Sequence, residues 1–291
     1  MTDTIQDIFG NVVEKDILLR DKYIEPPFSR LDAGSGHWQK RKKSWLARGI
    51  KSELGRKEAL CLAQTMNKFD PRKNYTGTSV FDPVLCELMY HWFCPDEGAI
   101  LDPFAGGSVR GIVAHYLGYK YTGIELSDKQ VQANRFNAVD ILGISNSPDW
   151  HVGDSDQVLD GINDSFDFVF SCPPYMDLEK YSNDKDDLSN MTDEEFCKKY
   201  ESIISKTCSK LKDGAMACFV VGDIRDKKTG FYKDFITITK QAFYSAGLKL
   251  YNEAILLESG LNTAAMRANK QFTAGQKLVK VHQNVLIFKK P

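Results

Sequence analysis

The amino-acid sequence predicts an α/β fold built on a doubly wound, mainly parallel sheet. From Phe81 to the last residue, short apolar runs of strand length alternate with longer stretches of helical character. Glycines and helix-capping residues stand at the junctions between these runs. Because parallel neighbours need a crossover connection, strands separated by helices indicate a parallel sheet with helices on both faces. We expect the last strand to be antiparallel and an N-terminal extension to precede the sheet.

Each element has a local signal. Asp82 followed by Pro83 is a cap and first-turn pair that opens a helix, and Thr192 followed by acids opens another. Gly118 ends the helix that the glycine pair at 106–107 begins. The predicted helices are 39–48, 81–93, 106–118, 127–143, 192–214 and 231–247, and the predicted strands are 98–104, 120–126, 150–155, 166–171, 215–223, 249–257 and 282–290.

Composition excludes several classes of protein. The 291 residues are 42% hydrophobic and 26% charged, which suits one large domain with an extension. Because the net charge is −1, any surface for nucleic acid has to be local. The seven cysteines are odd in number and lack CxxC spacing, so we expect a reducing compartment and no metal site. Without a leader or a membrane-length apolar run, the sequence predicts a cytoplasmic protein.

The first 75 residues include a basic stretch. Between Lys40 and Lys57 lie eight Lys or Arg residues and one acid, with tryptophans at 38 and 45 close by. Such a stretch contacts phosphates, with a tryptophan stacked on a base, or forms a solvated helix face above buried tryptophans. Both alternatives stay open. The candidate DNA contacts in this stretch are Lys40, Arg41, Lys42 and Lys43.

A strand, a glycine turn, a helix and a second strand ending in an acid follow from Ile100. Gly106 and Gly107 allow the backbone to pass close to a ligand, and Glu125 can accept hydrogen bonds from ribose hydroxyls. This pattern suits a nucleoside cofactor. It lacks the GxGxxG spacing of dinucleotide sites and the GKS/T of triphosphate sites.

A second motif, Ser-Cys-Pro-Pro-Tyr, follows the apolar run that begins at Phe166. Two prolines end sheet pairing, so the motif terminates a strand. It also stands at the carboxyl end of that strand, where open α/β sheets bind ligands, so it suits a rigid catalytic loop.

Together, the stretches 102–108, 123–125 and 171–175 resemble the S-adenosylmethionine-dependent DNA amino-methyltransferases, which modify adenine N6 or cytosine N4. The resemblance covers 76–291 as a pattern of elements and implies a Rossmann-like methyltransferase domain there, after an extension over 1–75. It implies S-adenosyl-L-methionine as cofactor and DNA as partner, with RNA a less favoured one. Asp154, which the resemblance assigns to the adenine of the cofactor, is also a suitable helix cap. The implied cofactor-binding residues are Thr78, Phe81, Asp102, Pro103, Phe104, Ala105, Gly106, Gly107, Glu125, Leu126, Asp154 and Ser155.

In the family that the second motif resembles, rigid acceptors orient the amino group and an aromatic ring stacks on a flipped base. The family has Asp, Asn or Ser directly before the prolines, whereas this chain has Cys172 there and Ser171 one residue earlier. A thiol is a weak acceptor, so either Ser171 Oγ or backbone carbonyls replace it, and Ser171 slightly favours cytosine. A cysteine nucleophile for C5 methylation belongs to a Pro-Cys order, and a small buried residue is the simpler interpretation of Cys172. The implied catalytic set is Ser171, Cys172, Pro173, Pro174 and Tyr175.

Two loops remain as candidates for substrate contact. The polar stretch 176–190 suits a lid or a long connection. The stretch 258–284, with Arg267 and Lys270, suits DNA contact or a hairpin loop. Three functions stay open: a DNA amino-methyltransferase, an enzyme of the same chemistry acting on RNA or protein glutamine, and an inactive nucleic-acid-binding protein.

Overall fold

The computed structural model describes residues 4–6, 12–14, 19–50, 81–143, 147–176, 187–226, 228–258 and 262–291. Its main sheet has eight strands in the order β3-β9-β10-β8-β7-β4-β5-β6, and β1 and β2 form a separate antiparallel pair. The strands are β1 (Thr4–Gln6), β2 (Val12–Glu14), β3 (Arg30–Asp32), β4 (Ala99–Asp102), β5 (Lys120–Glu125), β6 (Asp149–Val152), β7 (Phe166–Ser171), β8 (Leu211–Val221), β9 (Lys249–Leu257) and β10 (His282–Lys289).

The winding of the chain creates a switch point between β4 and β7. The chain runs outward through β4, β5 and β6, returns to pair β7 with β4, and then winds the other way. Only β10 is antiparallel to its neighbours in this sheet. The predicted doubly wound sheet with an antiparallel last strand is therefore confirmed. Ligands of such sheets bind where the strand order reverses, at the carboxyl ends of the strands.

The described helices cover both faces of the sheet. Asp82 Oδ1 accepts a hydrogen bond from Val84 N, and Thr192 forms a capping box with Glu195, so both predicted helix starts are confirmed. The helices are α1 (Leu19–Tyr23), α2 (Gly36–Leu46), α3 (Pro83–Phe93), α4 (Val109–Tyr116), α5 (Asp128–Leu142), α6 (Ser155–Gly161), α7 (Asp193–Ser209), α8 (Phe235–Ser245) and α9 (Asn262–Gly275). None of them is long and apolar enough to cross a bilayer.

Three local predictions need correction. The hairpin-loop interpretation of 258–284 is wrong, because α9 occupies most of that stretch. The helix from Thr192 stops five residues early, since Leu211 already pairs with Phe166 of β7. Helix α6, which Asp154 caps, was not predicted. A seven-residue helix leaves too short a periodic pattern to recognise.

Two apolar cores, one on each face, enclose the sheet. Phe168 and Phe170 of β7 point into the core beneath α2–α5, while Val169 points into the core beneath α6–α8. Because both faces are covered, the central strands carry almost continuous apolar runs. This is why β7 reads Phe-Asp-Phe-Val-Phe-Ser.

The described part of the N-terminal basic stretch, in α2, packs on α3 and on its cap residue Asp82. Trp38 and Trp45 of α2 are buried, and Arg41 Nε lies 2.6 Å from a carboxylate oxygen of the buried Glu87. Lys42 Nζ lies 2.9 Å from Asp82 Oδ2. Two of the four cations of this stretch that are predicted to contact DNA thus form ion pairs within the chain. The other two, Lys40 and Lys43, are exposed, and their contact with DNA stays a prediction.

We expect Arg41→Gln to lower the free energy of unfolding by about 1–3 kcal/mol, because it leaves the buried carboxylate of Glu87 short of its charged donor. The hydrogen bond with Glu87 also raises the pKa of Arg41, so the guanidinium is charged at every working pH. Urea unfolding measures the change. Lys43→Gln is the matched control and should alter stability little, and an equal effect of the two variants would contradict the proposed role of the pair.

Candidate active site

The carboxylate of Asp102 is the centre of a buried hydrogen-bond network at the switch point. Asp102 ends β4 and is 0% exposed. Its Oδ2 accepts from Arg110 Nε at 2.6 Å and from Tyr121 OH at 2.7 Å. Its Oδ1 accepts from Ser171 Oγ at 2.6 Å and from the backbone N of Phe104 at 3.1 Å. The carboxylate therefore joins β4, β5, β7 and the start of α4.

Arg110 holds the loop that leaves β4. It donates to the carbonyl oxygens of Phe104 and Ala105, and its guanidinium lies 4.6 Å from the centre of the Phe81 ring. Burial opposes its charge, but the nearby carboxylate of Asp102 raises the pKa of Arg110 above its ordinary value. Burial also raises the pKa of Tyr121, which therefore stays protonated and donates. Sequence reasoning missed both residues, whose types and spacing gave no signal of a shared partner.

The glycine loop is fixed from two sides. Gly106 has φ +53, a conformation that glycine adopts without strain. Its backbone N donates to Glu125 Oε2 at 3.0 Å, and its carbonyl accepts from Asn134 Nδ2 at 2.8 Å. Ser127 N donates to the other oxygen of Glu125 at 2.8 Å. Glu125 thus stands at the end of β5 beside the glycine loop, as the sequence predicted. The sequence analysis did not name Asn134 of α5. A polar amide among the apolar residues of a buried helix face could have indicated a hydrogen bond to the backbone.

Gly123 marks a close approach between β5 and the loop. A methyl group there would lie 2.7 Å from Tyr121 Cε1 and 2.9 Å from Ala105 Cβ. Any larger residue would displace Tyr121 from Asp102. The glycine of the Gly-Ile-Glu motif therefore has a packing reason as well as its place in the resemblance.

Asp154 and Ser155, which follow β6, begin α6 beside the loop after β4. Asp154 Oδ1 accepts from Asp156 N and so caps α6, while its other oxygen lies 2.7 Å from Lys199 Nζ. Ser155 Oγ donates to the carbonyl of Pro103 at 2.5 Å. The helix-cap interpretation of Asp154 is therefore confirmed, and its contact with the adenine of the cofactor stays a prediction.

In the Ser-Cys-Pro-Pro-Tyr segment, the serine and the cysteine differ in exposure. Ser171 is completely buried and donates to Asp102. Cys172 is partly exposed, and its Sγ lies 3.6 Å from Tyr175 OH. The Tyr175 ring packs against Phe235, with 5.9 Å between ring centres, and its hydroxyl donates to the carbonyl of Val220 at 3.5 Å. The prolines 173 and 174 are buried and half-buried.

The structure brings most predicted site residues to one edge of the sheet. Phe104 packs against Tyr200 in the core beneath α6–α8, and Leu126 is half-buried after β5. Thr78 and the greater part of the predicted lid, 177–186, lie outside the described residues. Among the described residues, no cluster of His, Cys, Asp and Glu could hold a metal ion.

We expect Gly123→Ala to lower the melting temperature strongly, because the new methyl group forces Tyr121 away from the buried carboxylate. Loss of one donor to a buried charge costs about 1.5–3 kcal/mol. Calorimetry measures the shift. Gly161→Ala is the control, since a methyl group there meets nothing within 4 Å and φ is not positive. Equal stability of the two variants would contradict this account of Gly123.

No protein-family model and no curated protein sequence matches the chain. Among solved structures it is similar to TrmN from Thermus thermophilus, at 14% identity and a TM-score of 0.49, over 72% of this chain and 49% of that one. It is also similar to magnesium protoporphyrin IX methyltransferase (ChlM) from Synechocystis PCC 6803, at 11% identity and a TM-score of 0.46, over 79% and 94%. A putative RNA methyltransferase from Pyrococcus horikoshii gives 14% identity and a TM-score of 0.44, over 71% and 81%. The chain thus spans about half the length of TrmN.

Proposed function

We propose that this protein is an S-adenosylmethionine-dependent methyltransferase that methylates an exocyclic amino group of a DNA base. One observation supports this above all. The glycine loop after β4 and the Pro-Pro-Tyr segment after β7 share a single buried anchor, Asp102, which contacts both. The two loops to which the resemblance assigns cofactor binding and catalysis are thus anchored at one switch point, which supports the proposal.

The residues at this edge fit the cofactor. Gly106 turns the backbone in a left-handed conformation, and Glu125 presents a half-buried carboxylate beside it. A carboxylate can accept about four hydrogen bonds, so Glu125 can hold the loop and bind both ribose hydroxyls. When bound, S-adenosylmethionine supplies an electrophilic methyl group on a sulfonium. The protein orients the amino group and excludes water around it, and this task needs no metal.

The acceptors for the amino group come from the main chain in this proposal. Ser171 Oγ is buried and donates a hydrogen bond to Asp102, so it holds the segment from the side of the core. Cys172 offers only a weakly accepting thiol. The carbonyl groups of the Cys172–Pro173 segment are then the acceptors for the two amino hydrogens, and the prolines keep them fixed. Tyr175 stacks on the base, which replaces the stacking that the base lost on leaving its strand.

The structure gives no reason to prefer cytosine over adenine as the methylated base, so analysis of the product has to identify it. The slight preference for cytosine rested on Ser171 as an acceptor, and its place in the Asp102 network removes that reason. The proposed reaction is therefore amino methylation, at N4 of cytosine or N6 of adenine.

The test incubates the protein with S-adenosylmethionine labelled on the methyl group and with DNA, RNA and protein acceptors in parallel. We expect label in DNA, and digestion to nucleosides should place it on an exocyclic nitrogen. Label only in RNA or in glutamine would overturn the DNA assignment. Binding of DNA without transfer of the labelled methyl group would overturn the proposal in favour of an inactive nucleic-acid-binding protein.

We expect Glu125→Gln to weaken S-adenosylmethionine binding by about 10- to 100-fold, since a hydrogen bond to a charged group contributes about 1.5–3 kcal/mol. Titration calorimetry measures the affinity, and thermal unfolding checks that the glycine loop is intact. Asp140→Asn, which changes an exposed acid of α5, is the matched control and should bind like the wild type. Wild-type affinity in Glu125→Gln would remove Glu125 from the cofactor site.

We expect Cys172→Ser to keep substantial activity, because a hydroxyl accepts hydrogen bonds better than a thiol and the thiol forms no covalent bond in amino methylation. Turnover with a saturating DNA acceptor measures this. Covalent C5 chemistry requires the opposite result. Loss of all turnover, together with a stable adduct between wild-type Cys172 and 5-fluorocytosine DNA, would contradict amino methylation.

A further inference from the structure

A second surface lies at the same edge of the sheet as the candidate active site. After β8 ends at Val221, a hairpin closed by the bridge between Arg225 and Tyr232 projects from the edge. After β9 ends, α9 and the segment 276–281 lead back into the antiparallel strand β10. Because β9 runs parallel to β8, both excursions start from the carboxyl edge. We call the described residues 225–226 and 228–232, together with 264–280, the hairpin–helix surface.

This surface contains the most exposed large apolar side chains of the described residues. Met266 is 81% exposed, Phe231 77% and Leu278 71%, and Phe272 of α9 is also exposed. Single exposed apolar residues are ordinary, but a cluster of them at one place marks an interaction site. The hairpin–helix surface is therefore suited to a partner with apolar faces.

The charge of the same surface is mainly positive. Its 264–280 part has four Lys or Arg residues and no acid, and the hairpin adds Arg225, Lys228 and one acid, Asp226, although the net charge of the chain is −1. A cavity of about 420 Å³ on α9 is lined by Arg267, Lys270, Gln271, Ala274, Gly275 and Lys277. Cations beside exposed rings suit a polyanion with flat apolar groups, which describes nucleic acid better than an acidic peptide.

Close contacts connect this surface with Tyr175. Lys277 Nζ lies against Gly230, so α9 and the hairpin adjoin. A methyl group at Gly222 would lie 3.6 Å from the Tyr175 ring and 3.9 Å from Lys280 Nζ, so ring and amine converge there. Burial lowers the pKa of Lys280 despite the acids Asp223 and Glu258 nearby, which indicates a partly dehydrated place beside the ring.

We propose that the hairpin–helix surface binds the unpaired nucleotides flanking the target base in single-stranded DNA. The cations of α9 contact phosphates, and bases stack on Phe231 and Phe272. In a duplex the bases stack on one another, so exposed rings stack most readily on bases that are unpaired. This inference rests on the proposed function for the identity of the acceptor, but binding to the surface needs no methyl transfer.

The experiment is fluorescence anisotropy with one labelled sequence as single-stranded DNA, as duplex DNA and as single-stranded RNA, without cofactor. We expect single-stranded DNA to bind most tightly. Phe231→Ala should weaken it about tenfold, since stacking contributes about 1–3 kcal/mol per base. Lys270→Gln should reduce the slope of log K against log salt by about 0.7. Controls at the opposite edge of the sheet, Tyr251→Ala and Lys249→Gln, remove an exposed ring and an exposed cation and should leave binding unchanged.

Three outcomes would overturn the inference. The first is tighter wild-type binding to the duplex or to RNA. The second is equal binding by Phe231→Ala and Tyr251→Ala. The third is a change of oligomeric state in Phe231→Ala, seen by light scattering, with DNA binding intact, which would assign the surface to a second copy of the chain. Calorimetry with S-adenosylmethionine runs in parallel. If the wild type does not bind S-adenosylmethionine, the proposed function is wrong. Whether the hairpin–helix surface binds single-stranded DNA is decided by the anisotropy measurements alone.

Discussion

The arrangement at the switch point depends on the hydrogen bonds that stabilise the buried carboxylate of Asp102. Without partners, a buried carboxylate would strongly destabilise the fold. Isolated burial of a charge costs several kcal/mol, so the carboxylate must gather donors from its surroundings. It gathers them from a backbone amide, from the guanidinium of Arg110, and from the hydroxyls of Tyr121 and Ser171. Because those donors come from four different places in the fold, matching one charge fixes the glycine loop and the Ser-Cys-Pro-Pro-Tyr segment relative to each other.

Sequence patterns predicted the features that local chemistry determines. The helix starts at Asp82 and Thr192, the alternation of strands with helices and the glycine turn each depend on neighbours in the chain. The features that were missed depend on distant pairing. The edge strand β3 forms because three residues pair with β9, and the sequence of those residues alone does not indicate a strand. Likewise, α6 is too short to show a periodic pattern, and α9 is exposed along almost its whole length, so no buried apolar face marks it in the sequence.

The site divides in the same way. The positions of Gly106, Glu125 and Tyr175 at one edge followed from the strand ends that precede them. The direction of the Ser171 hydroxyl could not be predicted, because it depends on a carboxylate 69 positions earlier in the chain. The same holds for α2, where a run of four cations gave no sign that two of them pair with the acids Asp82 and Glu87. A charge pattern shows which side chains are ionised, and only the fold shows which of them are already matched.

The antiparallel course of β10 has an evolutionary consequence. Because Leu257 and His282 are cross-strand neighbours, the segment that includes α9 leaves and re-enters the sheet at adjacent positions. Closing a longer excursion between two adjacent points adds only about 0.6 kcal/mol for each doubling of its length. Insertions, deletions or whole replacements of this segment would therefore leave the sheet register and the Asp102 network undisturbed. Related chains can therefore differ in the length and composition of this one segment while they keep the same sheet and the same buried network.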